Sequence, residues 1–367
     1  MLFLYELKKL YKSRIFLIIL ALFIVFDFFC VYNTCRPYFS DNTYKSELKL
    51  TDRFEGRITR ERVDEITENY SRLADLVDSN AYNTNYDSST YTGYEYLDYN
   101  VLLKLNDELS RIYNFSANTN EKINAINSSA DFLSNNGNDF LAEKYRRTAS
   151  SIEHRQITEI HNYSGVNEYM NYDMSVIFVM LSAVFVSVIS FSKDKELVDT
   201  VYTCSYSKTR ICSAKIMSVI FNSVFISILF RLFDLILFNS FIGLRGITSP
   251  LFYLEKYEMT YFSGSILSFS FLQTIELALL TVVAAMLCSC ISIIIQRAEF
   301  SLILSVLTAL LIYLNGFISN DFDYPKYLGF MFIGYAKLFV LLAMFVLITI
   351  STKILHKGML KNGNLKI

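Results

Sequence analysis

The chain has 367 residues, 53% of them hydrophobic, and a net charge of −1. A near-neutral balance gives no basis for a nucleic-acid partner held by bulk basic charge. Its six Cys show neither metal-ligand spacing nor a dense disulfide framework. A soluble core would spread its apolar residues at helix or strand period. Here they gather in blocks long enough to cross a ~30 Å hydrocarbon layer, which takes about 20 apolar residues. The expectation is an integral protein of the cell membrane.

"MLFLYELKKLYKS" opens the chain, with Leu2, Phe3, Leu7 and Leu10 set against Lys8, Lys9 and Lys12. That pattern predicts an amphipathic helix lying in the interface, its lysines toward anionic headgroups. "IFLIILALFIVFDFFCVY", Ile15 to Tyr32, predicts the first span; it is long, and no small-residue cleavage pattern of a signal peptide follows it. Further apolar runs at about 174–192, 216–239, 265–295, 300–318 and 334–354 bring the expected spans to six. They read as helices, because unpaired backbone cannot cross lipid and no alternating barrel pattern occurs.

Residues 34–173 form the one sizeable hydrophilic region. Val63, Ile66, Tyr70, Leu73 and Val77 recur at alternating three and four, a helical seam. "NVLLKLNDELSRIY" and "DFLAEKYRRTASSIEHRQI" also predict helices, and the Asn/Tyr/Ser-rich stretch between the seam and the first of these predicts irregular chain. Of the three His, His154 and His161 stand seven apart, a spacing that reads as an exposed pair rather than a metal site.

Lys and Arg near the span ends set the orientation. With both termini cytoplasmic, the inner flanks hold Lys8, Lys9, Lys12 and Arg14, then Lys193, Lys195, Lys208, Arg210 and Lys215. Arg297 and the C-terminal lysines join them, while the short outer loops hold only Arg245, Lys256 and Lys326. The expected fold is thus an all-α membrane protein: an interfacial helix and first span (1–33), a mostly helical extracytoplasmic insertion (34–173), and five further spans (174–367). Residues 241–264 suit the outer interface, their tyrosines forming an aromatic belt. Asn315 to Tyr335, with Pro325 and three glycines, suits a short re-entrant piece.

Between the second and third spans lies a polar cytoplasmic segment, 193–215, inside "SFSKDKELVDTVYTCSYSKTRICSAK". Its acids come early (Asp194, Glu196, Asp199) and its bases late (Lys208, Arg210, Lys215), which complements a helix dipole over about 194–205. The layout resembles the permease subunits of ABC exporters of the type-2 family. In that family the loop after the second span runs from an aromatic residue through acids to Pro-x-Ser-Arg and a later lysine. Here Phe191, Asp194 and Glu196 stand at the aromatic and acidic positions. Ser205, Ser207 and Lys208 stand where Pro-x-Ser-Arg would, and Lys215 falls at the later lysine. Ser205 replaces the proline, Lys208 the arginine, and the usual glycine is replaced near Asp199.

The resemblance implies that this loop couples to a separate ABC ATPase subunit, which would hold ATP and Mg. It also implies a second permease copy or a paralogue beside this chain in the lipid bilayer. The chain carries no G-x-x-x-x-G-K-[ST] phosphate loop, so a non-catalytic subunit without its own cofactor is expected, exporting an amphipathic substrate such as a peptide or lipid. A membrane sensor or scaffold whose outer domain binds a ligand or partner is the alternative.

Four of the polar residues inside the apolar runs stand out. Arg231 and Asp234, three apart, share a helix face. Gln273 and Glu276 lie one turn apart in the next run, and a Glu276–Arg231 pair across the two spans is expected. Such groups are costly in lipid and face a bundle interior or a water-filled path.

Overall fold

A computed structural model describes residues 2–39, 42–78, 95–153, 155–192, 208–258, 262–295, 297–318, 346, 348–355 and 357. The chain divides into two compact units. One comprises Met1–Thr34, Glu168–Ser240 and Leu267–Ile367; the other comprises Cys35–Asn167 and Phe241–Ile266.

In the first unit, α1 (Leu2–Tyr11) is followed by α2 (Arg14–Phe39) across a break at Lys12 and Ser13. Leu10 of α1 and Phe16 of α2 are buried in the main apolar core, and the rings of Tyr11 and Phe16 meet edge to face. That core is completed by α8 (Met174–Ser192), α9 (Lys208–Phe241), α10 (Ile266–Ile295) and α11 (Ala298–Ile318). Four stretches are helical, long and apolar enough to cross a membrane: Arg14–Tyr38, Ser164–Phe191, Arg210–Phe241 and Ile266–Ile295. The distribution of side chains is the reverse of a water-soluble bundle. Ser218, Asn222, Ser223 and Ser227 of α9 are buried, while Ile228, Leu232 and Ile236 on the same helix are exposed. Apolar outside and polar inside is the arrangement lipid selects. The chain is a multi-pass membrane protein.

Small polar residues join these helices. Ser187 Oγ donates to the Ala183 and Ala285 carbonyls, each at 2.8 Å, and Ser227 Oγ donates to Thr281 Oγ1 at 3.1 Å. The two neighbouring thiols point to different partners, Cys288 to the Ser305 carbonyl and Cys290 to that of Ser351, both at 3.7 Å. The fifth expected span, 300–318, lies within α11. Most of the sixth, 334–354, and most of 315–335 lie outside the described residues, but Leu355 is buried against Cys212, Ile216 and Met286.

The second unit is built on a long helical hairpin. After α3 (Asn42–Phe54) and α4 (Arg60–Asp78), α5 (Glu95–Asn135) runs 41 residues and turns back as α6 (Asp139–Ile152). Gly137 takes φ +76 at the turn, and the Asn138 N–H reaches the Leu133 carbonyl at 2.9 Å, closing off the end of α5. Asn138 then accepts from Leu141 N–H and starts α6. Ile66 and Leu73 of the predicted seam are fully buried against Leu102, Leu105 and Leu109 of α5. The irregular stretch expected before α5 lies almost wholly outside the described residues. A two-residue antiparallel pairing joins β1 (Gly56–Arg57) to β2 (Glu159–Ile160), after which α7 (Ser164–Asn171) begins.

Residues 251–254 depart from the interfacial belt expected over 241–264. Leu251, Phe252, Tyr253 and Leu254 are buried within this unit, in two short 3-10 turns, with Phe252 stacked on Phe115. Aromatic content suits a headgroup belt and a protein core equally; the long-range polar contacts decide for the core. Arg111 donates to Glu108 Oε1 (2.5 Å), Glu258 Oε1 (2.6 Å) and the Tyr253 carbonyl (2.8 Å). Burial alone would lower the pKa of Arg111, but the hydrogen bonds and charges of Glu108 and Glu258 outweigh it and hold the value above the ordinary one. Gly165 packs so closely on the Gly243 carbonyl that a Cβ there would stand 2.1 Å from the oxygen.

Candidate functional site

The last eight residues of the polar segment expected at 193–215, residues 208–215, are helical. Helix α9 begins at Lys208, so Lys208, Arg210 and Lys215 belong to a helix rather than to a 193–215 loop. "KTRICSAKIM" contains no Gly or Pro to stop a helix from propagating back from the apolar run. At 34 residues α9 is about 50 Å long, well beyond the ~30 Å of hydrocarbon. Asp194, Glu196, Asp199, Ser205 and Ser207 lie outside the described residues. Arg210 is exposed on the first turn of α9.

Phe191 and Lys215 are brought together. Lys215, only 5% exposed, reaches from α9 to the end of α8, where its Nζ donates to the Ser190 carbonyl at 3.5 Å. The same ammonium stands 6.0 Å from the centre of the Phe191 ring. The last carbonyls of a helix have no partner within it and carry the negative end of its dipole, so a cation there is favoured. The aromatic face adds a cation–π attraction. The two ends of the intervening segment are thus tied at its base by one lysine.

Deeper in the same unit the intramembrane polar residues form a cluster. Arg231 and Asp234 on α9, and Gln273 and Glu276 on α10, are all at most 3% exposed. Arg231 Nη1 lies 3.8 Å from Asp234 Oδ2, and Nη2 donates to Gln273 Oε1 at 3.4 Å. The expected Arg231–Glu276 pair is therefore corrected. Arg231 meets α10 through Gln273, one turn away, because residues 273 and 276 share a face and the guanidinium takes the nearer acceptor. Its guanidinium also lies 5.5 Å from the Tyr169 ring centre, and Tyr169 shares a 2.6 Å hydrogen bond with Ser270.

The sequence reading missed Asp27. It is the sole acid in the first apolar run and is fully buried on α2, accepting from Tyr172 Oη at 2.8 Å. Asp27, Asp234 and Arg231 are close enough to act on one another electrostatically. A lone carboxylate in an otherwise apolar span was the available signal. Two carboxyl groups, those of Asp27 and Asp234, thus act on one guanidinium. Arg231 Nε, Asp27 Oδ2 and both Asp234 oxygens make no hydrogen bond among the described residues. Buried polar groups this poorly satisfied contribute little to stability compared with a packed apolar core.

In the second unit a polar cavity of about 250 Å³ is walled by Glu55, Glu108, Arg111, His161 and Tyr163. His161 Nε2 is 3.2 Å from Glu159. Among the described residues no group of His, Cys, Asp and Glu could hold a metal ion. No family model matches the chain, and neither a curated protein nor a solved structure does.

Proposed function

We propose that this chain is the membrane subunit of an ATP-driven exporter of the type-2 ABC class, worked by a separate ATPase that binds the cytoplasmic segment 193–207. The observation that carries this reading is the tie made by Lys215 between the ends of α8 and α9. A segment fixed at both ends to two spans delivers a push to both together. ATP binding, with Mg, would close two ATPase subunits and displace the segment, and differential contact with the two ATPase states supplies the free energy. Arg231 lies 16 residues along α9 from Lys215, about 24 Å away on the same rigid helix. An axial shift of α9 changes the distances from Arg231 to Asp27 and Gln273, so the charge cluster reads the movement of the segment. A second copy or a paralogue completes the pathway, the cargo is an amphipathic peptide or lipid, and both termini are cytoplasmic.

Isolation of the full chain from its native membrane tests this. A stoichiometric partner that hydrolyses ATP is expected, and Lys215→Met should retain the partner while uncoupling its hydrolysis from transport. Recovery of a stable assembly without any ATP-hydrolysing subunit would end the proposal. The cavity beside Arg111 and His161 favours a second reading, a sensor whose polar unit binds a small ligand. Such a protein would be isolated without the ATPase.

A further inference from the structure

The bend between α1 and α2 encloses a cavity of about 550 Å³ in the membrane unit. Among the described residues, Lys8, Lys9, Lys12 and Arg14 line it with a single acid, Glu6. Ser13 also lines it, and its Oγ is buried without a hydrogen-bond partner among the described residues. The far wall is Ile189 and Ser190, so the cavity adjoins the carbonyl that Lys215 holds. The bend is a fixed feature of the bundle. Leu10 and Phe16 are buried on either side of it, and Phe3 meets Phe221 of α9 edge to face at 5.8 Å.

The excess of cations over acids among the described lining residues, with Lys8, Lys12 and Arg14 all exposed, suits an anionic occupant. The cavity opens where an amphipathic helix meets a span, at headgroup depth. From its mouth Ile15, Ile18 and Leu22 run exposed along one face of α2, a track for acyl chains. We propose that this bend binds one anionic phospholipid, its phosphate held by the Lys8, Lys12 and Arg14 charges and the Ser13 hydroxyl. Occupancy would brace α1 against the end of α8 and so stiffen the base of the 193–207 segment. The proposal stands whatever the protein transports.

Native mass spectrometry of the full chain in detergent, titrated with phosphatidylglycerol, phosphatidylcholine or free glycerol phosphate, is the test. One retained phosphatidylglycerol is expected, with phosphatidylcholine lost and glycerol phosphate unable to compete. At roughly fivefold per charge, Lys8→Gln with Lys12→Gln should weaken binding about 30-fold, and Glu6→Gln should tighten it about fivefold. Ser13→Leu fills the cavity with every charge kept and should weaken binding about tenfold. Equal retention of both lipids would overturn the proposal. So would glycerol phosphate binding as well as the lipid, which assigns a soluble anion. Unchanged binding in Ser13→Leu would overturn it too, as diffuse surface attraction.

Discussion

Arg111 in the polar unit and Arg231 in the membrane unit are both drawn in from the surface, yet their surroundings differ in kind. Arg111 spreads hydrogen bonds of 2.5 to 2.8 Å over two glutamates and a carbonyl, and Lys122 backs up Glu258 at 3.3 Å. Arg231 is more deeply buried and has, among the described residues, one hydrogen bond of 3.4 Å and one ion pair of 3.8 Å. A saturated guanidinium fastens distant pieces of chain, here α5 to the segment before α10. An under-satisfied one in an apolar surround costs stability, and a chain tolerates that where the partners must change. The contrast sets a charge that holds the fold beside one that the proposed function would use for movement.

Removing each arginine should break the comparison in its own way. Arg231→Met leaves buried carboxylates uncompensated and should cost about 3–5 kcal/mol in thermal unfolding of the full chain. Adding Asp234→Leu should restore much of that stability without restoring ATP-driven transport. If the double variant also transports, the cluster is structural. Arg111→Met should cost about 2–3 kcal/mol and leave any coupling between ATP hydrolysis and transport intact. Gly165→Ala forces a Cβ into the Gly243 carbonyl and should cost about 1–3 kcal/mol, read as earlier proteolysis of the polar unit. Tyr172→Phe deletes the hydrogen bond to Asp27 and should cost about 1 kcal/mol, with a disproportionate loss of transport.

What the sequence made legible were the features with a local period. The seam of α4 could be read because Ile66 and Leu73 recur on one face. The apolar runs of α2, α8, α9 and α10 could be read because lipid demands unbroken length. Features depending on distant partners were hidden. Nothing near "IVFDFF" tells that Asp27 meets Tyr172, 145 residues away. The Arg111–Glu258 contact spans 147 residues, so the burial of 251–254 could not be inferred from composition. Spacing placed Gln273 and Glu276 on one face of α10 but did not choose between them as the neighbour of Arg231. The helical state of 208–215 is hidden for a related reason: charged residues read as loop even where a long helix carries them beyond an apolar run.

The most direct test of the tied segment as a motor's handle is a photo-crosslinking amino acid at position 210, the exposed first turn of α9, activated in native membranes. A crosslink to a nucleotide-binding polypeptide, strengthened or weakened by ATP, is the predicted result. Labelling of the same position by a membrane-impermeant reagent added outside intact cells would contradict the account.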